Sequence, residues 1–177
     1  ALVVSNVHRV LGIVNGTTNY ILTRMEAGAP YEEALEEAQR LGFAEADPTD
    51  DVSGADAAAK MAILATIAFG SRVTLADVAY EGIEGIGLEH IRAAQEMGMV
   101  VRLIGEASLI GGAVDVRVHP ALVDRHHPLA AVEGAFNAVM LQGDAIREIT
   151  LEGPGAGGVE TASAVIADMV SVVGTTG

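Results

Sequence analysis

The spacing of apolar residues changes along this chain, and that change limits the folds open to it. A β-branched run from Val7 to Val14 reads as a buried strand. Helical spacing then takes over. Tyr31, Leu35, Ala38 and Leu41 make one stripe, and Glu32, Glu33, Glu36 and Glu37 face the other way. Later the period falls to two: Val114, Val116 and Val118 alternate with Asp115 and Arg117. Helices early and antiparallel strands late favour an α+β fold over a doubly wound sheet. There is no internal repeat and no low-complexity linker, so residues 1–177 read as one domain with a real core.

Local signals set the expected boundaries. Asn15-Gly-Thr-Thr18 ends the first strand, and its two threonines are placed to cap a helix running to about Ala27. Gly28-Ala-Pro30 is a turn, with Pro30 in the first turn of the next helix and Gly42 just past its end. Phe43 to Ser53 has no period and reads as an acid-rich loop. Ser53-Gly-Ala-Asp56 reads as a capping box opening a helix that ends near Gly70. Thr74 to Ile86 is mixed, a short helix then a strand, and Leu88 to Met97 is a helix closed by Gly98. Val100 to Ser108 pairs with Ala113 to Val118 across Gly111-Gly112, and Phe136 to Gln142 with Ile146 to Glu152 across Gly143-Asp144. A last helix is expected from about Glu160 to Val172.

Aromatics make up 3 % of the residues, so Ala, Val, Ile and Leu must build the core. A net charge of -14 argues against nucleic acid or an anionic membrane as partner, since both require basic patches. Without cysteine there is no disulfide, no thiolate metal site and no cysteine nucleophile. Nothing resembles a secretion signal, and the apolar run from Met61 to Phe69 is too short to span a bilayer. The chain opens on Ala1 inside strand-like sequence, and the expectation is a segment of a longer protein.

Three constellations bear on chemistry. Lys60 is the single lysine, and Glu45, Asp47, Asp50, Asp51 and Asp56 lie shortly before it. Asp56 and Lys60 are four apart and share a helix face. They make either a surface ion pair of about 0.3–0.5 kcal/mol or part of a site. The apolar turns after Lys60 suggest that its face is closed to bulk water. Burial would lower the amine's pKa and the acids would raise it; the acids are expected to win and keep it protonated. That suits a proton donor better than a Schiff-base nucleophile, which needs desolvation or nearby cations. The loop from Glu45 to Asp51 is open to three readings: a solvated face, a cation site, or a site for a substrate ammonium; its spacing is not that of an EF-hand. Gly153-Pro-Gly-Ala-Gly-Gly158 is either a tight turn or a backbone approach to an anion at a helix start. His8, His90, His119, His126 and His127 lack metal-binding spacing, and no metal site is expected.

Taken in order, several blocks resemble the homoserine dehydrogenase family: Gly12-Ile-Val-Asn-Gly-Thr-Thr-Asn-Tyr-Ile-Leu22, Ala44 to Lys60, Glu81-Gly-Ile-Glu-Gly-Ile86, His127-Pro-Leu-Ala130 with Phe136-Asn-Ala138, and Gly153 to Gly158 with Thr161-Ala-Ser163. The resemblance covers nearly the whole chain. It implies a mixed, largely antiparallel sheet with helices packed on one face, joined to a second copy through the sheet as a homodimer. It implies a cytoplasmic enzyme of amino-acid biosynthesis that interconverts aspartate 4-semialdehyde and homoserine with NADPH or NADH. Lys60 matches the proton donor; Glu45, Asp56 and Asp51 match substrate-site acids, Gly42 the edge of that site, and Gly155, Gly157 and Gly158 a segment near the cofactor. The resemblance places the NADP- or NAD-binding domain, a further site lysine and a monovalent-cation segment on sequence this chain lacks. The expectation is a substrate and dimerisation domain that does not transfer hydride alone.

Overall fold

The computed structural model describes residues 6–145, 147–155 and 158–174. Six strands form one sheet in the order β2-β4-β3-β1-β5-β6. They are β1 (Val7–Ile13), β2 (Ala79–Tyr80), β3 (Met99–Ile110), β4 (Ala113–Asp124), β5 (Phe136–Gly143) and β6 (Glu148–Pro154). β2 runs parallel to β4 and every other pairing is antiparallel. The sheet is therefore mixed and largely antiparallel, as expected. The hairpin strands run beyond the expected limits, because β3 and β4 stay paired from Met99↔Asp124 to Ile110↔Ala113.

Helices α1 (Gly16–Glu26), α4 (Ala55–Phe69) and α5 (Leu88–Glu96) pack on one face, with α2 (Tyr31–Leu41) against α1. Val10, Ile21, Leu22, Met25, Met61, Ile91, Val101, Leu103 and Val118 form the core between them. The other face is apolar over one end only. There Leu11, Ile13, Val100, Ile104, Ala138 and Met140 are covered by Leu129, Ala130 and Val132 around a 3-10 turn at Pro128–Ala131. The last helix, α6 (Gly158–Gly174), keeps the side chains of residues 162–173 exposed.

Several local expectations are corrected. Asn15, not the threonines, caps α1: its backbone is extended, and its side chain accepts from the Thr18 N–H at 2.9 Å. Pro30 stands one place before α2 as its cap residue. The capping box at Ser53–Asp56 does not form. Gly54 takes a left-handed conformation (φ 85°) with no side-chain cap, which frees the Asp56 carboxylate for other partners. The acid-rich loop contains a short helix, α3 (Thr49–Val52). Ile146, the expected start of the sixth strand, lies outside the described residues, and β6 begins at Glu148.

One buried ion pair locks α1 to the sheet and to the covering segment. Arg102 is fully buried and donates to Glu26 Oε1 at 2.5 Å, to the Val101 carbonyl at 2.9 Å and to the Ala130 carbonyl at 2.9 Å. Removing one member leaves the other charge uncompensated. Arg102→Ala is expected to lower unfolding free energy by about 3 kcal/mol or more, read from urea denaturation.

Arg9 on β1 meets Glu106 on β3 at 2.9 Å. Burial works against the Glu106 charge, yet Arg9, helped by the Ser108 hydroxyl, holds its carboxyl below the ordinary value of 4.5. The unfolded chain therefore takes up this proton first. The pair's contribution is full above pH 4.5 and is lost as pH falls through the native value. Glu106→Gln should flatten the acid limb of a stability-against-pH curve below about 4.5 and leave the neutral region with no such slope to lose.

Candidate active site

α4 carries the site, and glycines decide where it sits. Gly12 on β1 faces Gly105 on β3 across the sheet. A Cβ on Gly105 would lie 2.3 Å from Met61 Cγ, so Met61 occupies the space a side chain would take. The start of α4 is fixed by a second close approach. The Ile83 N–H donates to the Val52 carbonyl at 2.8 Å, and a Cβ on Gly82 would lie 1.9 Å from that same oxygen. The loop at Glu81–Ile83 thus presses directly on the corner between α3 and α4.

That corner brings the acids together. Asp51 lies in α3 and Asp56 in the first turn of α4. The Asn15 carboxamide donates to Asp51 Oδ1 at 2.6 Å and to Asp56 Oδ2 at 2.8 Å. Lys60 Nζ reaches the same Asp56 oxygen at 2.7 Å. Asp47 is used locally: the Thr49 hydroxyl and backbone N–H hold its carboxyl below the ordinary carboxylate range and start α3.

These groups open onto a recess of about 1310 Å³. Lys60, Asp56, Asp51, Glu45 and Gly42 line it, and so does Gly155 on its far wall. Gly157 lies outside the described residues, and Gly158 begins α6. Gly42 has a left-handed φ of 79° at the end of α2 and turns the chain into the acidic loop. Lys60 corrects one expectation. Its side chain is 47 % exposed, because Ile63 and Ile67 on the same side of α4 are themselves exposed.

The middle of the recess wall comes from residues that sequence reading left without a role. Glu133 to Asn137 lie along it. Asn19 binds this segment through the carbonyls of Val132 and Gly134, both at 3.0 Å. A Cβ on Gly16 would lie 2.6 Å from the Ala135 carbonyl. Tyr20 and Phe43 also line it, their ring centroids 5.0 Å apart and their planes tilted by 49°. Burial, followed by the nearby Glu37, pushes the Tyr20 hydroxyl pKa up. Asn15 carried a signal in its ordinary preference for helix caps, but its contacts with the acids span 36 and 41 residues.

Fold and recess together define an α+β domain with an acid-lined recess on its helical side. The family model for homoserine dehydrogenase matches residues 1–170. Homoserine dehydrogenase of Bacillus subtilis is 51% identical over 166 residues, which is 93% of this chain and 38% of that protein. The crystal structure of a homoserine dehydrogenase from Thiobacillus denitrificans superposes with a TM-score of 0.93 at 44% identity, covering 97% of this chain and 40% of that one. A hyperthermophilic archaeal homoserine dehydrogenase in complex with NADPH superposes at 0.77 and 33% identity, covering 96% and 48%. This chain belongs to the homoserine dehydrogenase family. It spans about two fifths of the length of the curated relatives it matches. Among the described residues, no helix is long and apolar enough to cross a membrane.

The glycine contact at the α3–α4 corner is open to test. Gly82→Ala forces a methyl group into backbone and should cost about 1–3 kcal/mol. Gly85→Ala, with nothing within 4 Å, should stay within about 0.5 kcal/mol. Thermal or urea melts of the two variants side by side check this.

Proposed function

We propose that this chain is the substrate domain of an enzyme that interconverts L-aspartate 4-semialdehyde and L-homoserine with NADPH or NADH. The observation that carries the reading is the linked set Asp51–Asn15–Asp56–Lys60 at the mouth of the recess. Two carboxylates bridged by a neutral amide rather than by a cation favour an ammonium group. Glu45, on the same recess, adds a third. An amino-acid substrate anchored there brings its aldehyde toward Lys60.

The nicotinamide supplies the hydride that reduces the aldehyde carbon. The recess suits such a group. Its wall at Gly155 carries no side chain and lies against Asn137, whose buried Oδ1 has no partner among the described residues. Gly155 and Asn137 would face it on this chain. Lys60 gives its proton to the aldehyde oxygen as negative charge develops there. Asp56, at 2.7 Å, holds the ammonium in place before transfer. The exposure of Lys60 gives water access to return the proton. In the reverse direction the neutral amine takes the alcohol proton.

We also propose that the enzyme is a homodimer joined through its sheet. β6 is an edge strand with Leu151 61% exposed, the kind of edge that pairs with another chain. A second functional reading is a non-catalytic dimerisation domain with Lys60 in a structural ion pair, and the exposure of that pair favours it.

Lys60→Ala in the full-length polypeptide carrying this chain should cut kcat by orders of magnitude with modest change in KM. Asp56→Ala should raise KM for the semialdehyde as well. Near-normal turnover of the lysine variant would favour the structural reading. The 177-residue chain alone should give no NADPH-dependent reduction of the semialdehyde.

A further inference from the structure

We infer that Asn15 is a positioning residue of the substrate site, setting the spacing of Asp51 and Asp56 so that both carboxylates face one ammonium. The inference rests on the reading of the recess as an amino-acid substrate site. Asn15 is 4% exposed, and all four of its hydrogen-bonding positions are in use. Its Oδ1 accepts from the Thr18 N–H and the Thr18 hydroxyl, both at 2.9 Å. Its Nδ2 donates one hydrogen to each acid, at 2.6 and 2.8 Å. The backbone N–H of Thr18 can only donate, so the oxygen must face α1 and the amide hydrogens must face the acids.

Capping alone does not require this residue. An N-cap needs only an acceptor, which Ser, Thr or Asp supplies as well. What those residues lack is a pair of hydrogens on one planar nitrogen. Asp51 and Asp56 come from different elements and would otherwise repel across the corner. A cation at position 15 would also hold them together, but it would cancel the charge an incoming ammonium needs. A neutral double donor fixes the geometry and adds no positive charge to that of Lys60 on Asp56.

The cap and the positioning role separate experimentally. Asn15→Ser and Asn15→Asp keep an acceptor for Thr18; Asp has no donor and Ser a single O–H, so neither can bridge both acids. In the full-length polypeptide carrying this chain, Asn15→Ser should melt close to wild type, whereas Asn15→Asp, with a third buried carboxylate beside the other two, should melt lower. Both should raise KM for aspartate semialdehyde by at least about tenfold and leave KM for the nicotinamide nucleotide unchanged. Asn15→Asp should be the worse, since it places a third carboxylate against the other two. Wild-type KM values in both variants would overturn the inference. So would equal losses for both substrates, or a loss that tracks a collapsed melting transition in both variants. If the wild-type enzyme itself reduces no semialdehyde, the functional reading fails and takes this inference with it.

Discussion

The seating of α4 on the sheet governs the rest of the molecule. Gly12 and Gly105 pair on neighbouring strands, and Met61 drops into the space the missing Gly105 side chain leaves. A helix held by packing this close has little freedom to slide or roll. Its first turn then lies beside the α3–α4 corner, which the loop at Glu81–Ile83 grips by backbone contact. Asp56 and Lys60 therefore occupy fixed places relative to Asn15 at the end of β1. The site is built at the junction of rigid elements, which is what a geometry-dependent reaction needs.

Electrostatics explains why the site is assembled this way. The chain carries 24 acids against 10 Lys and Arg, and several acids crowd one corner. Some of that charge has a partner of its own: Asp47 accepts from the Thr49 hydroxyl and N–H, Glu106 pairs with Arg9, and Glu37 pairs with Arg24. Asp51 and Asp56 are different, since a neutral amide joins them and one lysine partners only Asp56. Charge that is ordered and only partly cancelled, by Lys60 on Asp56 alone, is charge available to a ligand.

Much of the fold was legible because local period reports directly on burial. The stripe in α2 and the alternation in β4 located those elements, and the change of period between them indicated the fold class. Helix starts were less legible. Ser53-Gly-Ala-Asp56 has the residues of a capping box, yet the left-handed Gly54 changes the entry of the chain and releases Asp56. Asn15 and Thr18 both suit a cap, and only the backbone conformation at Asn15 decides between them. The enclosure expected for Lys60 failed for a related reason: apolar neighbours in sequence do not bury a residue when their own face of the helix is open.

The sequence by itself determined the chemistry on offer: one lysine, a dense group of carboxylates just before it, and a glycine-rich turn ahead of the last helix. It also determined the order of helices and strands, because periodicity is a local property of the chain. The tertiary structure alone decided which carboxylates lie together. It joined Asp51 to Asp56 through Asn15 and spent Asp47 on a turn. It also supplied Glu133 to Asn137, at the start of β5 beside β1, as a recess wall. The physical reason is range: propensity and period act over a few residues, whereas the amide of Asn15 meets its acids across 36 and 41 residues, a separation that only packing closes.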